Sequence, residues 1–171
     1  MGKIKFLLII LVFISPFLFA YYYFINDATT IRGTTNYGTF LKEQVIIDSK
    51  LSSNDQYWML IQLISDDCNT QCQDNTHMLR QINTAVGKDM DRVRRYVILN
   101  ENNEKNSVYL KNYPKVIVLD NSEKLYNKLS KMEERIFIAD PFGNIILGYK
   151  KDFSPKGLLK DIKKLLKYSK K

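Results

Sequence analysis

The chain has 171 residues, of which 45% are hydrophobic and 26% charged, with a formal net charge of +8, two cysteines and one histidine. This length suits one ordinary domain with an appendage. Two cysteines exclude a disulfide-rich scaffold and a four-cysteine zinc site, and one histidine excludes any site that needs two imidazoles.

The positive charge is confined to the C-terminal end of the chain. Residues 150–171 hold nine Lys and two Asp, so almost all of the net charge lies there. Base readout and base stacking depend on Arg and on interleaved aromatic residues, and this segment contains no Arg and only two aromatic residues. We therefore expect no nucleic-acid partner.

The first predicted element is a transmembrane helix over residues 6–25. Its sequence, FLLIILVFISPFLFAYYYFI, carries no charge, and about 20 apolar residues cross a hydrocarbon core of roughly 30 Å. Lys3 and Lys5 predict that residues 1–5 are cytoplasmic. The alternative is a cleaved signal peptide, but a cut after Ala20 would put Leu18 where a small residue is expected.

We therefore expect a single-pass membrane protein, with the rest of the chain outside the cytoplasmic membrane in a periplasm-like space, where cysteines can be oxidised. Residues 26–50 are polar and broken by glycines, which predicts a tether and an extended segment that leads into the domain. Residues 51–171 form the predicted domain.

The domain begins with an apolar run, YWMLIQLI, over residues 57–64, which predicts a central strand buried on both faces. In residues 69–86 apolar residues recur three and four apart, which predicts a helix, and Gly87 is a plausible stop. A second strand is predicted over residues 92–99. We expect its arginines, Arg92, Arg94 and Arg95, to lie on a solvated strand edge. The alternative is that they surround the functional site.

The later elements are a short extended run over 116–119, a helix over 122–129, and two strands over 136–139 and 145–149. The turn DPFGN between these strands predicts a hairpin. A last helix begins near Ser154–Pro155, with apolar residues on one face and lysines on the other. The lysines could meet anionic lipid, an acidic partner or solvent. This order of elements is that of an α/β, thioredoxin-like fold.

The sequence Cys68-Asn69-Thr70-Gln71-Cys72 is the one motif in the chain whose side chains suggest redox or metal-binding chemistry. A separation of four puts both sulfurs on one side of a first helical turn, close enough to bridge or to share a soft metal. A helix N-terminus lowers the pKa of a thiol, while Asp66 and Asp67 act against this. Three interpretations stay open: a static disulfide or buried thiols, a redox-active dithiol, and capture of copper.

The stretch WMLIQLISDDCNTQC, the later IFIADPFGN, the early RGTTNYGT and the final SPKGLLKDIKKLLK together resemble the SCO/SenC family, and in particular its small bacterial SCO-like group. The resemblance covers most of residues 32–168. It implies a membrane-anchored thioredoxin fold that helps to assemble the copper centre of cytochrome c oxidase, with an oxidase subunit or an assembly factor as the protein partner.

The resemblance also implies a ligand set. SCO proteins bind copper with the two cysteines and a histidine nine residues before the proline of the final hairpin. In this chain that position is Met132, whose thioether is a competent ligand for Cu(I). The candidate metal ligands are therefore Cys68, Cys72 and Met132, with a partly buried helix-end residue as the alternative for Met132. We expect His77 to be an exposed helix residue.

The predicted function is cytochrome c oxidase biogenesis, by copper delivery or by thiol–disulfide maintenance through Cys68 and Cys72. A general periplasmic oxidoreductase is one alternative. It is disfavoured because the chain has neither the C-x2-C spacing of periplasmic thioredoxins nor a proline in residues 131–135. A thioredoxin-fold scaffold without thiol chemistry is another alternative, so whether the protein is an enzyme stays open.

Overall fold

Near the N-terminus the chain forms one long apolar helix, α1 (Gly2–Asn26). The computed structural model describes residues 2–26, 35–41, 43–47, 57–65, 68–100, 109–119 and 123–169, in two compact units, Met1–Thr35 and Asn36–Lys171. Within α1, Gly2–Tyr22 is long and apolar enough to cross a membrane. The predicted span over 6–25 lies inside this helix.

The second unit is built on one mixed sheet with helices on both faces. Its described strands are β1 (Thr39–Phe40), β2 (Trp58–Ile64), β3 (Val93–Leu99), β4 (Val116–Val118), β5 (Glu134–Ala139) and β6 (Ile145–Lys150). They are arranged in the order β1-β6-β5-β2-β3-β4. Strands β2, β3 and β4 are parallel to each other, and β5, β6 and β1 join by antiparallel pairing.

The longer helices among the described residues of this unit are α2 (Thr70–Ala85), α3 (Glu123–Leu129) and α4 (Pro155–Tyr168), with a 3-10 turn over Gly87–Arg92. The predicted order of strand, helix, strand, helix, hairpin and helix is confirmed.

Strand β2 lies at the centre of the core, and all seven of its residues are buried. Trp58 and Leu60 pack with residues of α2 and α4, whereas Met59 and Ile61 pack on the other face with Leu129 of α3 and others. Successive side chains of a strand point to opposite faces. The uninterrupted apolar run in the sequence therefore reflects burial on both faces, as predicted.

The turns follow the predicted signals. Gly87, just beyond α2, has a φ of +80°, and Gly143 in the hairpin turn has a φ of +87°; glycine adopts this region without steric cost. Asp140 Oδ1 accepts hydrogen bonds from the amides of Phe142 and Asn144, both at 2.9 Å. Ser154 caps α4 by accepting from Gly157 N at 3.2 Å.

The expectation of a solvated edge for the arginine-rich strand is wrong for Arg95. Strand β3 lies between β2 and β4, and Arg95 is only 6% exposed. Desolvation lowers the pKa of Arg95 below its ordinary value. The physical reason is that the three-residue strand β4 pairs with β3 and removes its edge from solvent. Arg94, by contrast, stacks 4.2 Å above the Tyr57 ring.

The segment that leads into the domain is joined to the last helix by a buried carboxylate. Asp161 of α4 is 2% exposed. Its Oδ2 accepts from Tyr37 N at 2.8 Å, Gly38 N at 2.9 Å and the Tyr149 hydroxyl at 2.8 Å. Val45 is also part of the core. Of the stretch 26–50, the described residues from Asn36 onward thus belong to the folded unit.

Candidate thiol site at the start of helix α2

Cys68 and Cys72 form a disulfide where the chain passes from β2 to α2, and their Cα atoms are 5.1 Å apart. Both residues are partly exposed. Strand β2 is parallel to β3, so the cysteines follow the carboxyl end of a parallel strand pair, where α/β proteins place ligands and reactive groups.

The turn that carries the cysteines is held by its own side chains. Asn69 caps α2, and its Oδ1 accepts from Cys72 N at 3.1 Å. Gln73 Nε2 donates to Cys68 O at 3.1 Å. Asp66 and Asp67, which the sequence placed against thiolate formation, lie outside the described residues. Cys68 and Cys72 thus flank the positive end of a 16-residue helix, which favours a thiolate.

Gln62 of β2 belongs to this site although it was not predicted from the sequence. It is 2% exposed, and its Nε2 donates to Cys72 O at 2.9 Å and lies 3.6 Å from Cys72 Sγ. The Thr76 hydroxyl donates a hydrogen bond to Gln62 Oε1 at 2.9 Å. This bond fixes the orientation of the Gln62 amide. The available signal was that Gln62 is the one polar side chain in the run YWMLIQLI.

An aromatic side chain closes the apolar side of the site. Cys68, Cys72 and Tyr109 pack against a cluster of Ile64, Val97 and Leu110. The Tyr109 hydroxyl donates to Gln73 O at 3.1 Å and lies 3.1 Å from the Tyr113 hydroxyl. Burial, with the Tyr113 hydrogen bond as the second cause, raises the pKa of Tyr109 to about 12. Tyr109 therefore remains a neutral donor at physiological pH.

The structure does not group the third candidate ligand with the cysteines. Met132 follows α3 and packs against the cluster that contains Met59 and Ile61, on the sheet face opposite to that of Gln62. The assignment of Met132 as a ligand is untested by these contacts, and the function proposed below relies on the two cysteines alone. His77 is exposed, as expected, and its Nε2 lies 3.1 Å from Gln81 Nε2.

The donor set limits what the site can bind. Within the part of the chain that the structure describes, no three His, Cys, Asp or Glu side chains come together as a metal cluster. The described donors that lie together at this site are the two sulfurs of Cys68 and Cys72. They can cycle between disulfide and dithiol, and as thiolates they can share one soft cation such as Cu(I).

The model of one protein family, described as the transmembrane-like, thioredoxin-like, C-terminal domain, matches residues 58–169. The chain belongs to this family. No curated protein matches the sequence significantly. The predicted α/β, thioredoxin-like fold is thus confirmed, together with an N-terminal apolar helix that could span a membrane.

Solved structures agree on the fold. Apo Sco1 from Thermus thermophilus is 15% identical, with a TM-score of 0.57, and the match covers 79% of this chain and 99% of that one. Arabidopsis thaliana ScoI with copper bound is 15% identical, with a TM-score of 0.53, covering 68% and 88%. The thioredoxin domain of a thiol-disulfide oxidoreductase from Bacteroides vulgatus is 16% identical, with a TM-score of 0.50, covering 77% and 99%. The resemblance to SCO proteins is confirmed at the level of the fold.

Proposed function

We propose that the chain is a membrane-anchored, SCO-like protein that acts in cytochrome c oxidase biogenesis and carries Cu(I) as cargo on Cys68 and Cys72. The observation that supports this most is the position of the two sulfurs, which lie within bonding distance of each other and are partly exposed at the N-terminus of α2. Once a dithiol reductant has converted the disulfide to two thiols and has itself become a disulfide, the two sulfurs offer two soft ligands to one cation. The likeness in fold to ScoI with copper bound supports the same choice of cargo.

The proposed anchor is α1. Its stretch Gly2–Tyr22 meets the length and composition needed for a membrane span. Lys3 and Lys5 precede the apolar run and favour a cytoplasmic N-terminus. The thiol domain then lies on the periplasmic side of a bacterial inner membrane, with residues 27–35 as the tether.

Copper transfer needs no change of oxidation state in this scheme. Each thiol of Cys68 and Cys72 loses a proton as Cu(I) binds. Two cysteine thiols of the partner, an oxidase subunit or an assembly factor, then replace these sulfurs one at a time, and their protons return to Cys68 and Cys72. Exchange requires that a partner thiolate can reach the metal, and the partial exposure of both cysteines meets this need.

A second candidate function, thiol–disulfide exchange, is favoured by the disulfide itself and by the fold shared with a thiol-disulfide oxidoreductase. In this reaction one thiolate attacks a partner disulfide and forms a mixed disulfide. The other thiolate then resolves it, leaving Cys68–Cys72 oxidised and the partner reduced. The partner could be the copper-binding subunit of the oxidase or a wider set of periplasmic proteins.

The test is oxidase activity in the cells that produce this protein, with the Cys68→Ser/Cys72→Ser double variant in place of the natural chain. We expect loss of cytochrome c oxidase activity, whereas His77→Ala, an exposed change on the same helix, leaves it intact. Recovery on added copper supports copper delivery, and recovery on added thiol reductant supports the exchange reaction. Normal oxidase activity in the double variant would refute both and leave a scaffold role.

A further inference from the structure

The last helix presents a uniformly basic face. Helix α4 carries the exposed lysines Lys156, Lys160, Lys163, Lys164 and Lys167, here called the lysine face. At about 100° per residue, these five positions lie within roughly 100° of the helix circumference. The opposite side of α4 is buried against the sheet through residues such as Leu158 and Ile162.

Within helix α4, as the structure describes it, no exposed acidic side chain lies among these lysines. The one acidic residue within α4 is Asp161, which is 2% exposed and is turned inward to Tyr37, Gly38 and Tyr149. A surface of this kind, several lysines without acidic neighbours on the same helix, is complementary to an anionic surface.

The polypeptide enters the domain beside the lysine face. Lys160 Nζ donates to the Tyr37 hydroxyl at 3.2 Å and lies 5.4 Å from the centre of the Tyr37 ring. Lys164 Nζ lies 3.5 Å from Asn36 Oδ1. Residues 27–35 are all that separates Asn36 from the end of the apolar helix, and ten peptide steps span at most about 35 Å.

We infer that the lysine face docks on the anionic lipid headgroups of the membrane in which α1 is anchored. This inference rests on the membrane insertion of α1 that is part of the proposed function. A short tether holds the lysine face at a high effective concentration near the bilayer. Each lysine at an anionic surface favours the docked state by about fivefold. An acidic protein partner would also be negatively charged, but no short tether would hold it near the lysine face.

Docking would also orient the thiol site. Gln71 Nε2 and Asn75 Nδ2 of α2 both donate to Lys151 O, at 3.3 Å and 3.0 Å. These bonds tie the cysteine-bearing turn to the loop that precedes α4. A domain that lies on its lysine face therefore keeps the cysteine-bearing turn in a fixed orientation relative to that face.

The experiment uses the full chain in nanodiscs of phosphatidylcholine alone or with about 30% phosphatidylglycerol, each doped with a gadolinium-chelating lipid. Paramagnetic relaxation of backbone amides reports which face approaches the headgroups. We expect enhancement along α4 in the anionic discs and not in the neutral discs. In Lys156→Gln/Lys163→Gln/Lys167→Gln the ratio of docked to free domain should fall by about 100-fold.

The matched control is Lys88→Gln/Lys124→Gln/Lys131→Gln, three exposed lysines on other elements, which should leave the enhancement unchanged. Equal enhancement in neutral and anionic discs, or equal loss in both triple variants, would overturn the inference. So would binding of α4 to soluble polyglutamate without enhancement in anionic discs, which would indicate an acidic protein partner.

The proposed function is checked separately in the same samples. Failure of the chain to co-elute with the nanodiscs would refute the anchor and the inference together. Co-elution without docking, in a chain whose reduced cysteines still retain copper, would refute the inference alone.

Discussion

Gln62→Leu tests whether the buried amide tunes the thiol chemistry. Leu is close to Gln in volume, and the substituted position lies in a buried, mostly apolar strand. The substitution removes the N–H that lies 2.9 Å from Cys72 O and 3.6 Å from Cys72 Sγ. The Thr76 hydroxyl keeps a partner, since Cys72 O lies 3.1 Å from it.

The size of the effect follows from the strength of a hydrogen bond to a charged acceptor. Such bonds contribute about 1.5–3 kcal/mol, and the 3.6 Å separation from sulfur places this one at the lower end. Because one pKa unit corresponds to about 1.4 kcal/mol, we expect the pKa of the reduced Cys72 thiol to rise by about one unit. Where the thiolate is populated, the same loss lowers the reduction potential by about 30 mV.

The assay is a pH titration of thiolate absorbance in the ultraviolet on the reduced chain, in a Cys68→Ser background so that only Cys72 titrates. The matched control is Gln73→Leu, which removes an amide donor from Cys68 O and not from a sulfur. An unchanged pKa in Gln62→Leu, or an equal rise in both variants, would refute the assigned role of Gln62.

Three further changes test other parts of the account. Asp161→Asn should lower the free energy of unfolding by about 2–4 kcal/mol, because three donors converge on one buried carboxylate oxygen. Urea unfolding measures this change, and a loss no larger than about 0.5 kcal/mol, as for a substitution at an exposed position, would contradict the prediction. Since the pKa of Tyr109 is raised from 10 to about 12, the folded state holds that proton more tightly, and stability falls as pH rises across this window. In Tyr109→Phe the free energy of unfolding should fall less steeply with pH than in the natural chain. Curves of equal slope for the two proteins would contradict the raised pKa of Tyr109; Tyr149, whose pKa is also raised by burial, is present in both proteins. Met132→Leu conserves volume within an apolar cluster and should leave the Cu(I) affinity unchanged, whereas a loss of about tenfold or more would make Met132 a ligand.

The features predicted well from sequence are those with local causes. The run YWMLIQLI predicts a central strand because burial on both faces requires an uninterrupted apolar sequence. The turn after β5 is predicted because Asp140 accepts a hydrogen bond from a backbone amide of the turn and Gly143 adopts its positive φ. The position of Cys68 at a strand–helix junction follows from these same local patterns.

The features that sequence reasoning missed depend on contacts between distant segments. Arg95 is buried because the short strand β4, more than twenty residues later, covers the edge of β3. Gln62 becomes part of the thiol site only when α2 folds back over β2 and brings Thr76 to its amide. Neither contact leaves a periodic signal in the chain.

A hydrogen-bonded joint connects two of the sequence motifs that resemble the SCO/SenC family. Tyr37 and Gly38, within RGTTNYGT, bind Asp161 within SPKGLLKDIKKLLK. A Cβ added at Gly157 would lie 2.6 Å from Tyr37 Cγ, and one at Gly38 would lie 2.6 Å from Tyr149 Cζ. Both glycines are therefore required by close packing against aromatic rings.

The most direct test of the central claim is a titration of the reduced full chain with Cu(I) in competition with a chromophoric chelator. The account predicts that the chain retains a single equivalent of copper, and that Cys68→Ser and Cys72→Ser each lose it, because two thiolates are needed to hold one soft cation. Absence of retained copper in the reduced chain, or equal retention by either serine variant, would contradict the proposal that Cys68 and Cys72 carry the cargo.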